Sequence, residues 1–309
     1  MTASYLVKLA CFSLATFFAV NVAAGAVVSL LTSWSIRLAE RMRAQTAARF
    51  LFAIRMAPAA LGVAAVFGLC VPSYLWFEPE VASEQIGALC LAASIAALLI
   101  GIRATLRAGH ALEKSRAYLA SCRAGGSAEV VAGQTALVVS APRTTALAGV
   151  FRPTVVLSRD VLETLSPEQL DAVMSHERSH AVTRDNLKRL ALLLAPGVFS
   201  LARLEQAWRR YAEWAADDLA VAQNRRRSIA LAEALVRVAR MGSHNEAPLA
   251  TSLLGEDLEA RVERLLNGES PRRPLPWKAC TAAAVVSTAI LLRPSTFDLV
   301  HRALETLTH

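Results

Sequence analysis

Long stretches without charge separate this sequence into apolar and polar parts. Residues 9–36, 56–77 and 85–102 contain no Asp, Glu, Lys or Arg, and each run is long enough for a helix to cross a bilayer. They predict three transmembrane helices. The first run also resembles a signal peptide around residues 23–26, but it is too long for one, and the dense positive charge follows it instead of preceding it.

A fourth apolar run, residues 279–292, is shorter than the others. A tryptophan and a lysine precede it as interfacial anchors, so we expect it to cross the membrane too, with a buried or surface helix as the alternative. The predicted organisation therefore has three parts. Residues 1–103 hold three transmembrane helices, residues 104–275 form one domain, and residues 276–309 hold the fourth helix and a short outer tail.

Charge is distributed unevenly between the segments that connect these runs. Arginine is concentrated in residues 37–55 and 103–123, whereas residues 78–84 are acidic. Because segments rich in Lys and Arg stay in the cytoplasm, we expect the N-terminus outside, the 104–275 domain in the cytoplasm and the C-terminus outside.

The polar domain combines short β-type runs with longer helical patterns. Its strands are predicted at residues 129–131, 136–139 and 154–157, with a candidate edge strand at 144–148. Its helices are predicted at residues 104–121, 160–164, 167–195, 198–223, 227–241 and 256–267. The fold class of this domain is therefore α+β, mostly helical with a small sheet.

One helix of this domain carries the motif H-E-x-x-H. Ser166 and Pro167 are typical of a helix start, and His176 and His180 then lie four residues apart on one face. Two imidazoles at that spacing can take two corners of a Zn²⁺ tetrahedron. Glu177 can reach a water molecule near such a metal, which is the position of a general base in zinc-dependent hydrolysis.

A third ligand follows from helix length. The pair Pro196-Gly197 breaks the helical pattern 16 residues after His180, and Glu213 lies 16 residues after Gly197. If the two legs form an antiparallel hairpin, Glu213 returns to the level of His180. Asp217, one turn further, is a candidate to accept the free N–H of a ligand histidine. The alternative is that both carboxylates belong to a solvated helix face.

Composition agrees with a membrane protein and excludes several other classes. The chain is 54% hydrophobic with a mean hydropathy of +0.39 and a net charge of +8. Its arginines lie beside apolar segments, so we expect no direct nucleic acid binding. The five cysteines are scattered and form no C-x-x-C pair, which predicts neither a disulfide framework nor a cysteine metal site.

Three segments resemble a known family. Residues 149–158 match a G-x-x-x-P-x-x-x-L strand, 176–185 match H-E-x-x-H-x-x-x-x-D, and 213–218 match E-x-A-x-D-D. Together with the R-[IV]-x-R-L-L-like residues 261–266, this pattern is similar to the M56 membrane zinc metallopeptidases of the BlaR1/MecR1 type. The resemblance implies that His176, His180 and Glu213 hold one Zn²⁺ and that Glu177 is the catalytic acid/base.

The combined prediction is a multi-pass α-helical membrane protein of the bacterial inner membrane with a cytoplasmic α+β zincin-like metallopeptidase domain. An edge strand beside the zinc could hold an extended peptide, with a plain surface loop as the alternative. The residues of this substrate-binding prediction are Thr145, Ala146, Leu147 and Ala148.

The expected partners are membrane lipid and a cytoplasmic protein substrate. The resemblance suggests that this substrate is a transcriptional repressor. No penicillin-binding sensor module follows the fourth run, so a signal would come through the spans, the outer loop or a separate membrane partner. Two alternatives stay open: a quality-control protease of the HtpX/Ste24 type, which also combines H-E-x-x-H with a distal Glu, and a catalytically silent membrane scaffold.

Overall fold

Long helices form the first part of the molecule. The computed structural model describes residues 3–77, 87–140, 145–241, 249, 251–252 and 257–268. The first helices are α1 (Ala3–Ala39), α2 (Ala44–Ala65), a π-helical turn (Val66–Cys70), α3 (Val71–Phe77) and α4 (Ala88–Gly125). By length and composition, three continuous helical segments could cross a membrane, namely Tyr5–Ala39, Ala44–Trp76 and Ala88–Gly125. The predicted fourth span, the C-terminal tail and the acidic loop lie outside the described residues.

These helices are longer than the apolar runs that predict them. Helices α1 and α4 have 37 and 38 residues, which is about 55 Å each, whereas a bilayer core is about 30 Å thick. Each of the two helices is therefore longer than a bilayer core is thick. The predicted boundary between residues 103 and 104 falls inside α4, which runs without a break as far as the sheet.

A small mixed sheet follows α4. Its strands are β1 (Gly126–Val131), β2 (Gln134–Val139), β3 (Thr145–Ala148), β4 (Thr154–Ser158) and β5 (Thr251–Ser252), in the order β1-β2-β4-β3-β5. Neighbouring strands are antiparallel except β2 and β4, which are parallel. Ala132 and Gly133 join β1 to β2 with φ of 48° and 74°, the left-handed geometry of a tight hairpin turn.

The prediction that β3 is an edge strand is wrong. β3 pairs with β4 on one side and with β5 on the other, where Ala146 faces Ser252 and Leu147 faces Thr251. All four residues of β3 are buried. The covering strand is only two residues long and comes from a part of the chain a hundred residues later, so no local pattern could reveal it.

The helices of the domain surround the metal-binding motif. They are α5 (Arg159–Thr164), α6 (Pro167–Thr183), α7 (Asp185–Leu194), α8 (Ala202–Val221), α9 (Arg225–Arg240) and α10 (Leu258–Asn267). A capping box starts α6, since Ser166 accepts from the Gln169 N–H and the Gln169 side chain accepts from the Ser166 N–H. The predicted single helix 167–195 is wrong, because Arg184 is left-handed (φ 55°, ψ 43°) and separates α6 from α7.

Two apolar clusters hold α6 and α8 in place. The first packs the sheet against α6, α9 and α10, with Val173 and Met174 fully buried. The second packs α8 against the end of α1 and the start of α2, around Trp208 and Leu204. Helix α6 is thus held in place by the sheet, and α8 is held in place by the long helices. The metal-binding motif lies where α6 and α8 meet.

Candidate metal centre

Three motif residues converge between α6 and α8. His176 Nε2 lies 3.1 Å from His180 Nε2, and Glu213 Oε2 lies 3.5 Å and 3.6 Å from these two nitrogens. Ligand atoms about 2.0–2.1 Å from a tetrahedral zinc stand about 3.4 Å from one another. The triangle therefore has the dimensions of three corners of a zinc site, and all three residues are buried.

Each histidine meets a carboxylate on its other nitrogen. His176 Nδ1 lies 2.9 Å from Asp217 Oδ1, and His180 Nδ1 lies 2.8 Å from Asp185 Oδ2. A carboxylate at Nδ1 keeps the proton there and leaves Nε2 free as a metal ligand. Thr183 and Lys188 in turn hold Asp185, through an Oγ1–H bond of 2.7 Å and an ion pair of 2.8 Å.

The sequence pattern predicts Asp217 beside the ligands but gives no role to Asp185 or Arg261. The signal for Asp185 was its position five residues after His180, where α7 begins. Arg261 from α10 is buried and donates to both carboxylate oxygens of Asp217, at 2.7 Å and 2.8 Å. Its Nη1 also lies 3.4 Å from Glu213 Oε2. Its segment resembled the family pattern, but nothing in the pattern indicated a contact with the centre.

Opposite charges dominate the electrostatics of the centre. Burial by itself would lower the pKa of His180, but the carboxylates of Glu213 and Asp185 raise that pKa to about 10. Burial by itself would raise the pKa of Asp217, but Arg261 and His176 lower it to about 2. The pKa of Glu213 is also held below its usual value, chiefly by His180 against the effect of burial. Without metal the carboxylates are thus ionised and His180 carries an extra proton, which zinc binding would displace from Nε2.

Glu177 is in a different environment. Its side chain is fully buried, and neither carboxylate oxygen has a hydrogen-bond partner among the residues that the structure describes. Burial raises its pKa, and the neighbouring His176 and His180 oppose that rise. A buried carboxylate without a partner is costly, so such a group commonly marks a functional site.

The donor set fits zinc. Glu213 Oε2 is buried and has no hydrogen-bond partner in the described part of the chain, although two imidazole nitrogens and a guanidinium surround it. A cation between the three ligand atoms would satisfy this oxygen. Two neutral imidazoles and one carboxylate are also a donor set of catalytic zinc sites, which keep a fourth position open.

The predicted peptide-binding residues lie near the centre but are covered. Asn186 at the start of α7 donates to the carbonyl oxygens of Leu147 and Gly149, at 2.9 Å and 2.8 Å, which ties β3 to α7. A cavity of about 300 Å³ is lined by both Leu147 and His180. Residues Thr145, Ala146 and Ala148 are buried within the sheet. Their role in binding substrate stays a prediction.

Comparison with known proteins agrees with this geometry. Residues 123–274, just under half of the chain, match the family model described as Peptidase family M48. No curated protein and no solved structure gives a significant match. The family match does not support the narrower resemblance to M56 peptidases. M48 peptidases depend on zinc, and the buried trio His176, His180 and Glu213 could hold it, so the cofactor prediction is confirmed. On this evidence the match supports a zinc metallopeptidase family for the chain.

Proposed function

We propose that this chain is an integral-membrane zinc metalloendopeptidase. The observation that carries the proposal is the triangle of His176, His180 and Glu213 with the unpartnered Glu177 carboxylate beside it. The family match supports a peptidase. The three helices of spanning length and composition support a membrane location. A silent scaffold is less well supported, since no ligand and no base is missing from the motif.

The chemistry divides between the metal and the chain. When bound, zinc supplies Lewis acidity, which lowers the pKa of water and polarises a carbonyl group. Glu177 takes a proton from the attacking water and later donates it to the leaving amine. Asp217 and Asp185 hold the proton on Nδ1 of each histidine and fix the orientation of the rings.

The proposed substrate is a protein on the cytoplasmic side. The arginine-rich segments that flank the apolar runs support this orientation. A transcriptional repressor is one candidate and rests on the resemblance to M56 sensor peptidases. The other candidate is membrane proteins removed by a quality-control protease of the HtpX/Ste24 type. The match to family M48 supports this candidate at least as well as the repressor.

The first prediction tests catalysis with Glu177→Gln. The amide is nearly the same size but cannot accept the proton, so we expect hydrolysis of an unfolded protein substrate to fall at least a hundredfold, roughly the contribution of a general base. Zinc content should stay unchanged, because Glu177 is not among the proposed ligands. The matched control is Glu168→Gln in the first turn of the same helix, which is exposed and should keep full activity.

The two substrate candidates can be separated in cells. Cells carrying the wild-type chain or Glu177→Gln are compared by quantitative proteomics for fragments that only the wild type produces. One abundant fragment of a DNA-binding protein would support the regulatory role, and many fragments of membrane proteins would support quality control. Equal cleavage by purified wild type and Glu177→Gln would contradict the assignment of Glu177.

A further inference from the structure

An open apolar groove runs between α1 and α4. It has a volume of about 470 Å³ and ends at Pro196, in the loop that joins α7 to α8. Its wall from α4 comprises Ala97, Leu98, Gly101, Ile102, Thr105 and Leu106, and Leu14 and Phe17 form the wall from α1. The groove lies on helices that are long and apolar enough to cross a membrane, so its surroundings there would be hydrocarbon.

A polar cavity lies at the end of this groove. It has a volume of about 180 Å³ and shares Pro196 with the groove. Arg55 of α2, Arg107 of α4 and Asn21 of α1 line it together with the first residues of α8. The Asn21 side chain donates to the Pro196 carbonyl at 3.2 Å, so the junction of groove and cavity is held by a defined contact.

The charge in the cavity is suited to an anion. Arg55 is paired with Glu205 at 2.7 Å, whereas Arg107 has no ion pair or hydrogen bond among the residues described. One net positive charge thus remains. Helix α8 begins beside it at Ala202. Its N-cap residue, Leu201, makes no side-chain cap, so the first N–H groups of the helix stay available and the positive end of the helix dipole adds to the charge.

We propose that the groove and the cavity together bind one phospholipid with an anionic headgroup. The acyl chain would lie along α4, and the headgroup phosphate would lie between Arg107, Arg55 and the start of α8. Basic pockets between membrane helices are suited to such headgroups. The shared phosphate chemistry could also come from a free anion, but a free anion would leave the apolar groove without an occupant.

The position of this site connects it to the metal centre. The loop at residues 195–201 joins α7, which supplies Asp185 to His180, to α8, which supplies Glu213. Gly25 of α1 allows the ring of Phe199 to pack against it, with the ring carbon 3.1 Å from where a Cβ would lie. A lipid at this loop would hold the two elements at a fixed separation. The proposal rests on the membrane location proposed above and not on peptidase activity.

The experiment measures lipid retention by the full chain. Protein is reconstituted in nanodiscs of mixed phosphatidylglycerol and phosphatidylcholine, extracted into mild detergent, and its retained lipid is counted by native mass spectrometry. Arg107→Gln tests the headgroup site, with exposed Arg103→Gln on the same helix as its control. Gly101→Leu fills the groove, and Gly109→Leu is its control, since both glycines have open space where a side chain would lie.

We expect wild type and both controls to retain phosphatidylglycerol in preference to phosphatidylcholine. Retention should fall about fivefold in Arg107→Gln, the factor that one basic residue near an anionic lipid contributes, and similarly in Gly101→Leu. Equal retention by all five proteins overturns the proposal. Loss in Arg107→Gln with full retention in Gly101→Leu shows that the groove does not hold the acyl chain, and this result overturns the proposal. Displacement of the lipid by millimolar inorganic phosphate indicates a free-anion site and overturns it too. Since no substrate is present, these results do not depend on catalysis.

Discussion

At the scale of single residues, the metal centre depends on groups that do not touch the metal position. Asp185 and Asp217 face the Nδ1 atoms of the two histidines, and Arg261 holds Asp217 by two hydrogen bonds. Removing one member of such a buried charge network leaves its partner uncompensated. The contacts that fix these side chains therefore contribute to metal affinity as well as to stability.

Asp185→Asn tests this contribution. The amide still accepts from His180 Nδ1 but has no charge, so we expect the dissociation constant for zinc to rise about 10-fold to 100-fold. Lys188, whose ammonium group pairs with Asp185, is partly exposed, which limits the cost of leaving its charge unpaired. Asp218→Asn is the control, because Asp218 pairs with Arg264 away from the ligands. Competition with a fluorescent chelator measures both affinities, and equal values would contradict the role of Asp185.

At the scale of elements, the sequence predicts most helices and strands but not their joins. His176, His180 and Glu213 could be brought together from sequence, because the spacing within one helix and the lengths of two adjacent helices are local quantities. Arg261 and β5 could not be predicted as neighbours of the centre and of β3, because their contacts depend on docking across more than forty residues. The break at Arg184 also escaped prediction, since arginine is an ordinary helix former.

The join between α6 and α7 gives a prediction about stability: replacing arginine by glycine should have opposite effects at two positions. Arg184 has φ of 55°, which costs a non-glycine residue about 1–2 kcal/mol. Arg184→Gly should therefore stabilise the protein or leave it unchanged, whereas Arg178→Gly, in the exposed middle of α6, should cost about 1 kcal/mol. Thermal unfolding of both variants in the same detergent measures the difference. Equal destabilisation would show that the left-handed residue is not strained.

At the scale of the whole molecule, helix α8 of the metal centre and the long apolar helices share one packed cluster. Trp208 and Leu204 of α8 are buried against the end of α1 and the start of α2, and Arg55 pairs with Glu205. The metal ligand Glu213 lies on the same α8. Helix α8 therefore packs directly on α1 and α2, and β1 follows α4 without a linker.

The orientation of this assembly in a membrane is a separate prediction. We expect a reporter enzyme fused after Gly268 to be active only in the cytoplasm, because both arginine-rich segments should stay on that side. A reporter placed before Ala3 should be active only outside. Fusion at both points of the inactive Glu177→Gln chain excludes self-cleavage as a cause of the readout. The reverse pattern would move the site and its substrates to the other side of the membrane.

The unbroken length of α4 has a mechanical consequence. A helix of 38 residues is a rod about 57 Å long, and it reaches from an apolar run to the first strand of the sheet while packing on α7. Helices change their tilt when bilayer thickness changes. A tilt change of about 5° at one end of such a rod displaces the other end by about 5 Å. For a chain placed in a membrane as proposed above, a change in bilayer thickness would then shift the sheet and α7, so peptidase assays can test bilayers of different thickness.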